Sequence, residues 1–166
     1  MIYNEQTAER VANILLEIGA VKLNLEQPFT WASGWKSPIY CDNRQTLSFP
    51  AARKVIREKL AEGVREKFPE VEVIAGVATG AIAHGVLVAE EMGLPFIYVR
   101  SSAKKHGLTN QVEGKVEPGK KVVVIEDLIS SGGSSLAAVD ALKEADVKVI
   151  GLAAIFSYGF PAAEKA

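Results

Sequence analysis

The amino-acid sequence predicts an α/β fold in which helices flank a central, mostly parallel sheet. After Pro69, short apolar runs alternate with segments whose apolar residues recur at helical spacing. Several runs are continuous, as in residues 122–125 (VVVI), and continuous runs are typical of parallel strands that are buried on both faces. Alternation of strand and helix therefore predicts a sheet that helices cover on both sides.

Length and composition are those of a soluble globular chain. The chain has 166 residues, of which 48% are hydrophobic, and a formal net charge of -1, so we expect neither nucleic acid nor a membrane as a partner. Cys41 is the sole cysteine, which excludes an internal disulfide and a thiolate metal cluster. The first residues lack a signal-peptide pattern, and no apolar run approaches the ~20 residues of a membrane span. We expect a cytoplasmic protein.

The N-terminal part is predicted to contain two helices that enclose a loop-rich segment. Asn4 can cap a helix over residues 5–18, because apolar residues recur there at helical spacing and Gly19 follows as a stop. Residues 21–48 contain aromatics, glycine and proline without helical periodicity, which predicts short strands and loops. A second long helix is expected to begin at Pro50 and to end before Pro69.

The C-terminal part is predicted to supply the sheet. We expect strands over residues 71–77, 96–99, 122–125 and 147–156, and helices over residues 81–92 and 134–144. Residues 100–121 form a polar connection that is too long for a routine link inside a compact domain. Such a connection is typical of a lid or a binding loop.

Residues 122–135 (VVVIEDLISSGGSS) carry the strongest functional signal. Ligands of open parallel sheets bind at the carboxyl ends of strands, where small residues and a helix N-terminus can surround a phosphate. Glu126 and Asp127 would repel that phosphate, so we expect them to face sugar hydroxyls or a phosphate-bound Mg²⁺. An ordinary strand-to-helix turn with solvated acids is the alternative. The chain contains neither GxxxxGK[ST] nor GxGxxG, which disfavours nucleoside triphosphate and dinucleotide sites.

The whole string resembles the signature of type I phosphoribosyltransferases. The resemblance implies their fold, with one domain over residues 1–166, a small N-terminal hood within residues 1–48 and a long mobile loop over residues 100–121. It also implies that Glu126 and Asp127 hold the ribose hydroxyls of 5-phosphoribosyl-1-pyrophosphate (PRPP), and that residues 130–134 hold its 5-phosphate. Mg²⁺ is the implied cofactor, held mainly by the substrate, with Glu126 or Asp127 as candidate ligands. The implied PRPP contacts are Thr79, Gly80, Arg100, Lys104, His106, Glu126, Asp127, Leu128, Ile129, Ser130, Ser131, Gly132, Gly133 and Ser134.

Residues 29–44 (FTWASGWKSPIYCDNR) resemble the segment that covers the base in orotate phosphoribosyltransferases. A planar, carboxylated pyrimidine needs an apolar or aromatic wall and donors for its oxygens. The alternative is a Trp-rich hairpin that only packs its own lobe. The orotate contacts that the resemblance implies are Lys36, Tyr40, Cys41, Ser130 and Tyr158.

Residues 98–114 (YVRSSAKKHGLTNQVEG) resemble the catalytic loop of the same family. The resemblance implies that Arg100, Lys104 and His106 bind pyrophosphate and catalyse its departure, because cations placed where negative charge develops lower the barrier. Asp127 is expected to shield positive charge on the ribose. The resemblance further implies a homodimer in which residues 100–114 reach the neighbouring subunit's site. A solvated basic loop is the alternative.

The resemblance predicts a pentosyltransferase that converts orotate and PRPP to orotidine 5-monophosphate and pyrophosphate in pyrimidine (UMP) synthesis. A phosphoribosyltransferase for a purine base would share residues 122–135. A PRPP-sensing regulator that binds nucleic acid would keep the same fold, although such a protein usually shows a basic face. The resemblance extends to about Phe160 and family members continue further, so we expect this chain to lack a C-terminal part of the family.

Overall fold

The structure is a computed structural model that describes residues 2–31, 34–100 and 111–164. The chain divides after Ile56 into two compact units. The predicted single domain over residues 1–166 stays a prediction. Within the described ranges, no helix combines the length and the apolar character needed to cross a membrane.

The first unit contains one helix and two small hairpins. Helix α1 (Glu5–Glu17) begins at Asn4, whose side chain accepts a hydrogen bond from the Thr7 N–H at 2.9 Å, as the sequence predicts. Two antiparallel pairs follow, β1 (Val21–Leu23) with β4 (Ile39–Cys41) and β2 (Phe29–Thr30) with β3 (Lys36–Ser37). The short strands expected within residues 21–48 are therefore confirmed. The 3-10 helix Asn43–Ser48 was not expected.

The second unit is built on a five-stranded sheet. Its strand order is β7-β6-β5-β8-β9, in which β5, β6, β8 and β9 are parallel and β7 runs antiparallel to β6. The predicted mostly parallel sheet with flanking helices is confirmed. Its elements in chain order, with the preceding long helix, are α2 (Pro50–Lys67), β5 (Val73–Val77), α3 (Ala81–Met92), β6 (Phe96–Val99), β7 (Val112–Glu113), β8 (Lys121–Ile129), α4 (Gly133–Glu144), β9 (Lys148–Ser157) and α5 (Pro161–Glu164).

The core of this unit lies on the central strands. Residues 122–125 of β8 are fully buried, as their continuous apolar sequence predicts. Two glycines bring α3 close to the sheet, because a Cβ on Gly85 would meet the Phe96 ring at 2.6 Å and one on Gly76 would meet the same ring at 3.1 Å. Their missing side chains leave the space that the Phe96 ring occupies.

Two strands differ from the prediction. The sequence predicts that β8 ends at Ile125, whereas the strand continues to Ile129 because β9 pairs with it along that extension, with Glu126 opposite Ala154 and Leu128 opposite Phe156. The sequence predicts no strand within residues 100–121, whereas β7 lies there and pairs with β6. In both cases a partner strand supplies hydrogen bonds that local sequence does not reveal.

Candidate functional site

Polar residues follow three adjacent strands of the sheet, at the end where each strand stops. The turn 78–80 follows β5, Arg100 follows β6, and Glu126 and Asp127 lie near the end of β8. Because β5 is hydrogen-bonded to both β6 and β8 in parallel, these segments meet at the end of the sheet where the parallel strands terminate. This carboxyl-terminal end is called the sheet edge. This edge is the usual ligand site of an open parallel sheet, so the fold brings most of the predicted PRPP residues to the expected place.

Asp127 lies directly against the turn that follows β5. A Cβ on Gly80 would overlap the carboxylate of Asp127, so only glycine leaves room for this side chain. Gly80 precedes the first residue of α3, and its neighbour Thr79 is exposed. Asp127 itself is only partly buried. Its carboxylate therefore stands beside the N-terminus of α3 and keeps access to a ligand.

Glu126 has a different environment, although it is the neighbouring residue and also an acid. Its side chain is 3% exposed. Oε1 accepts a hydrogen bond from the Asp127 N–H at 3.0 Å, and Oε2 accepts from the Ser135 hydroxyl at 3.2 Å and from the Ser134 hydroxyl at 3.4 Å. Burial, followed by the neighbouring Asp127 carboxyl, raises the pKa of Glu126 to about 8. Glu126 is thus mostly protonated at neutral pH and joins β8 to the first turn of α4.

Residues 130–134 are the segment in which the sequence predicts a phosphate cradle. Gly132 has φ +86°, a conformation that favours glycine, and α4 begins at the next residue. The N-cap residue is Gly132 itself, which has no side chain to cap the helix. The first backbone N–H groups of a helix and its dipole favour an anion. Ser131, Gly133 and Ser134 are exposed, so their polar groups can reach one.

The extension of β8 changes how two predicted contacts are placed. Leu128 and Ile129 belong to the strand rather than to the loop, and the Ile129 carbonyl accepts a hydrogen bond from the Tyr158 N–H at 3.0 Å. The loop between β8 and α4 is therefore only three residues long. The PRPP contacts of Leu128 and Ile129 stay predictions.

Ser135 is a buried residue of the site that the sequence prediction left out. It is 6% exposed and donates to Glu126. The available signal was a hydroxyl in the first turn of the helix that follows the acidic pair. The sequence could not show that Glu126 would be buried there.

Arg100 lies at the start of the predicted catalytic loop. Its backbone N–H donates to the Gln111 carbonyl at 2.9 Å, and Nη1 of its guanidinium lies 3.5 Å from Oε1 of Glu113. The sequence prediction did not include Glu113 among the site residues. Lys104 and His106, the other two predicted cations, lie outside the described residues.

An aromatic cluster follows β9. The Tyr158 ring makes an edge contact with Phe156 at a centroid distance of 5.1 Å and stacks with Phe160 at 5.8 Å. After Phe160, α5 passes close to the cradle, where a Cβ on Gly132 would lie 3.6 Å from Cα of Ala163. The hydrogen bond from Tyr158 to Ile129 places this cluster beside Ser130, so two of the predicted orotate contacts are neighbours.

The other predicted orotate contacts belong to the first unit. Lys36 is exposed in β3, and the Tyr40 ring is tilted against Phe29 at a centroid distance of 5.6 Å. Cys41 is buried, and its thiol donates to Oδ1 of Asn43 at 3.3 Å. Their contact with orotate stays a prediction.

No group of three or more acidic, His or Cys side chains that could hold a metal ion is present among the residues that the structure describes. Of the two acids of β8, Asp127 offers the accessible carboxylate, because Glu126 is buried and mostly protonated at neutral pH. Mg²⁺ commonly binds proteins through one or two carboxylates and takes its other ligands from water and substrate phosphates. The residues present fit a metal ion that arrives with its substrate.

Comparison with known proteins gives concordant matches. The model of the phosphoribosyl transferase domain matches residues 43–165. The chain is 59% identical over 155 residues to an orotate phosphoribosyltransferase of Porphyromonas gingivalis, covering 93% of this chain and 74% of that protein.

Solved structures show the same fold. An orotate phosphoribosyltransferase from Aeropyrum pernix matches with a TM-score of 0.82 and 30% identity, covering 93% of this chain and 85% of that one. An adenine phosphoribosyltransferase from Saccharomyces cerevisiae matches with a TM-score of 0.76 at 18% identity, covering 98% and 94%. At that identity the likeness shows the fold alone.

Proposed function

Because the chain belongs to the orotate phosphoribosyltransferase family, we propose that it transfers ribose 5-phosphate from PRPP to orotate, giving orotidine 5-monophosphate and pyrophosphate in pyrimidine synthesis. The single observation that carries the proposal is the carboxyl end of β8. There the accessible Asp127 carboxylate lies against Gly80 at the N-terminus of α3, and β8 leads through residues 130–132 to the N-terminus of α4, whose N-cap residue Gly132 supplies no capping side chain. A carboxylate next to an anion cradle suits a ligand that carries both hydroxyls and a phosphate.

The sugar phosphate is the best supported part of the substrate. The backbone N–H groups at the start of α4 and the exposed hydroxyls of Ser131 and Ser134 suit the 5-phosphate. Asp127, as the partly exposed acid, suits a ribose hydroxyl. Glu126 was predicted to hold a second hydroxyl, and its burial and its bonds to Ser134 and Ser135 support a role in the supporting network as well.

The proposed reaction is a substitution at the anomeric carbon. The bond between this carbon and the pyrophosphate oxygen breaks, pyrophosphate leaves with the electron pair, and a bond to the orotate nitrogen forms as that nitrogen gives up its proton. Negative charge grows on the leaving group, so a nearby cation stabilises the transition state. Arg100 stands at the same sheet edge, and Lys104 and His106 are the further cations that the sequence predicts. Asp127 would oppose the positive charge that grows on the ribose.

Mg²⁺ is the proposed cofactor, with Glu126 or Asp127 as the candidate ligands, and the accessible Asp127 carboxylate supports the proposal. When bound with the substrate, it would neutralise part of the charge on pyrophosphate. Removal of divalent metal with EDTA is expected to abolish turnover, and addition of Mg²⁺ is expected to restore it.

A homodimer in which residues 100–114 reach the neighbouring site is proposed from the family resemblance, and its support is the position of Arg100 and Gln111 at the base of that segment. A cytoplasmic location is proposed as well, supported by the reduced thiol of Cys41, the sole cysteine of the chain. Light scattering at micromolar concentration tests whether the protein is a dimer. A fully active monomer would contradict the proposed homodimer.

Turnover of a panel of bases tests the function. Purified protein, PRPP and Mg²⁺ are combined in turn with orotate, uracil, adenine, hypoxanthine and xanthine, and ultraviolet absorbance follows each base. Turnover of orotate alone is the expected result. Turnover of a purine alone would favour the purine enzyme, and salt-sensitive binding of RNA or DNA without turnover of any base would favour the regulator.

A further inference from the structure

We infer that Glu113 is a positioning residue, which holds the Arg100 guanidinium at the sheet edge where pyrophosphate is bound. The inference rests on the proposed function and deepens it. It assigns a role in the reaction to an acid that lies thirteen residues from its partner in the chain.

The backbone places the two side chains on one face of a small hairpin. Strands β6 and β7 are antiparallel, with Tyr98 opposite Glu113 and Val99 opposite Val112. The hydrogen bond from the Arg100 N–H to the Gln111 carbonyl continues the ladder by one more pair. Because side chains alternate between faces with a period of two, Arg100 shares the face of Tyr98 and is the diagonal neighbour of Glu113. Diagonal neighbours on antiparallel strands lie within reach of long side chains.

The residue that follows Glu113 allows β7 to lie close to β6. Gly114 has φ +106°, and a Cβ there would approach the Ile97 side chain at 3.0 Å. The glycine therefore lets the chain leave β7 in close contact with β6. Through this contact and the pairing of β7 with β6, the sheet holds Glu113 in position.

The geometry of the ion pair suits a side chain that orients the Arg100 guanidinium. Nη1 of Arg100 lies 3.5 Å from Oε1 of Glu113, and the two side chains are 33% and 24% exposed. Both charges are partly shielded from water, so their attraction is stronger than that of a fully exposed pair. A guanidinium has five N–H donors in a rigid fork. A contact through Nη1 is compatible with a phosphate oxygen on another edge of the same group.

A surface ion pair without a role in the reaction is the competing explanation. Exposed pairs contribute little to stability, and removing such a pair leaves catalysis unchanged. A positioning residue behaves differently, because a misplaced catalytic group slows the reaction even when the protein remains folded.

A double-mutant cycle separates the two explanations. The variants are Glu113→Gln, Arg100→Ala and the double variant, and kcat and KM for PRPP are measured with saturating orotate. We expect Glu113→Gln to lower kcat by about 10-fold with a change in KM below about threefold, since the guanidinium matters most where charge develops. In the Arg100→Ala background the same substitution is expected to change kcat by less than about twofold, because its effect passes through Arg100.

Two further variants control the result. Glu117→Gln removes the same charge from an exposed acid of the same connection, and we expect its kcat to equal that of the wild type. Glu113→Asp keeps the charge on a shorter side chain and is expected to recover part of the loss. Melting temperatures show whether each variant folds. If Glu113→Gln does not fold, Glu113→Asp is compared with the wild type in its place.

Pyrophosphate binding gives a readout that does not require turnover. Calorimetric titration with magnesium pyrophosphate is expected to show about fivefold weaker binding for Glu113→Gln than for the wild type, and no further weakening in the Arg100→Ala background. Equal binding and equal kcat for Glu113→Gln and the wild type would overturn the inference and leave the proposed function intact. Absence of orotate turnover by the wild type, with the binding differences present, would instead overturn the proposed function.

Discussion

The carboxyl ends of β8 and β6 deliver opposite charges to the same sheet edge by different means. At β8, Glu126 is 3% exposed and accepts three hydrogen bonds, and Asp127 fits against Gly80 without space for a methyl group. At β6, Arg100 is one-third exposed and meets Glu113 at 3.5 Å. The acidic end is thus fixed by burial and packing, whereas the basic end is held by a short ladder and one long ion pair.

This difference suits the two halves of the proposed substrate. Ribose and the 5-phosphate remain bound from substrate to product, so a rigid, preorganised site serves them throughout. Pyrophosphate must be held in the transition state and then released, and a cation that is held by one partly exposed ion pair can serve both steps. Substitutions at the two ends should therefore differ in size and kind.

The largest effect is expected for Asp127→Asn. Removing the charge of the accessible acid should lower kcat by about 100-fold to 1000-fold, as for the loss of other groups that face developing charge. Steady-state kinetics with orotate provide the measurement, and Asp140→Asn is the matched control, because Asp140 is an exposed acid on α4. A kcat within threefold of the wild type would show that β8 supplies no charge to the reaction.

A smaller loss is expected for Gly80→Ala. The added methyl group overlaps the Asp127 carboxylate, so that carboxylate must move, and we expect kcat/KM for PRPP to fall by about 10-fold to 100-fold. The double variant with Asp127→Asn should lose little more than Asp127→Asn alone, since both changes act on one carboxylate. Additive losses would contradict that coupling.

A pH-dependent change in stability is expected for Glu126→Gln. The folded protein holds the Glu126 proton to about pH 8, whereas the ordinary value is 4.5, so the folded state binds more protons between these values. The free energy of unfolding of the wild type should therefore fall as pH rises from about 5 to 8, by an amount on the order of 3 kcal/mol. Urea unfolding at intervals of one pH unit gives both profiles, and the Gln variant should lack this fall. Parallel profiles would contradict the burial of a neutral Glu126.

The smallest effect on stability is expected at the basic end. Glu113→Gln should change the free energy of unfolding by less than about 1 kcal/mol, because the pair is partly exposed. Urea unfolding at pH 7 in low and in high salt measures this change. High salt screens the ion pair and should therefore reduce the difference in free energy of unfolding between the variant and the wild type. A loss of several kcal/mol would place the β6 hairpin among the rigid parts of the molecule and remove the contrast with β8.

Much of the fold followed from local patterns. Asn4 caps α1 as predicted, Ala81–Met92 has the predicted bounds, and residues 122–125 are buried in a parallel strand. These features depend on capping chemistry and on apolar periodicity, which neighbouring residues reveal. The extension of β8 to Ile129 and the presence of β7 were missed, because each depends on a partner strand from another part of the chain.

The sequence by itself determined which chemical groups are available: an acidic pair, a loop of small residues and a basic connection. Each lies at or after the end of a predicted parallel strand, and a parallel sheet brings these ends together. Only the tertiary structure decided how similar residues differ. Glu126 and Asp127 are adjacent and carry the same group, but one is buried under α4 with a raised pKa and the other lies against Gly80 with access to a ligand. Glu113 likewise meets Arg100 only because β7 folds back on β6. Burial and pairing of this kind depend on how distant elements pack, and a local pattern of residues does not contain that information.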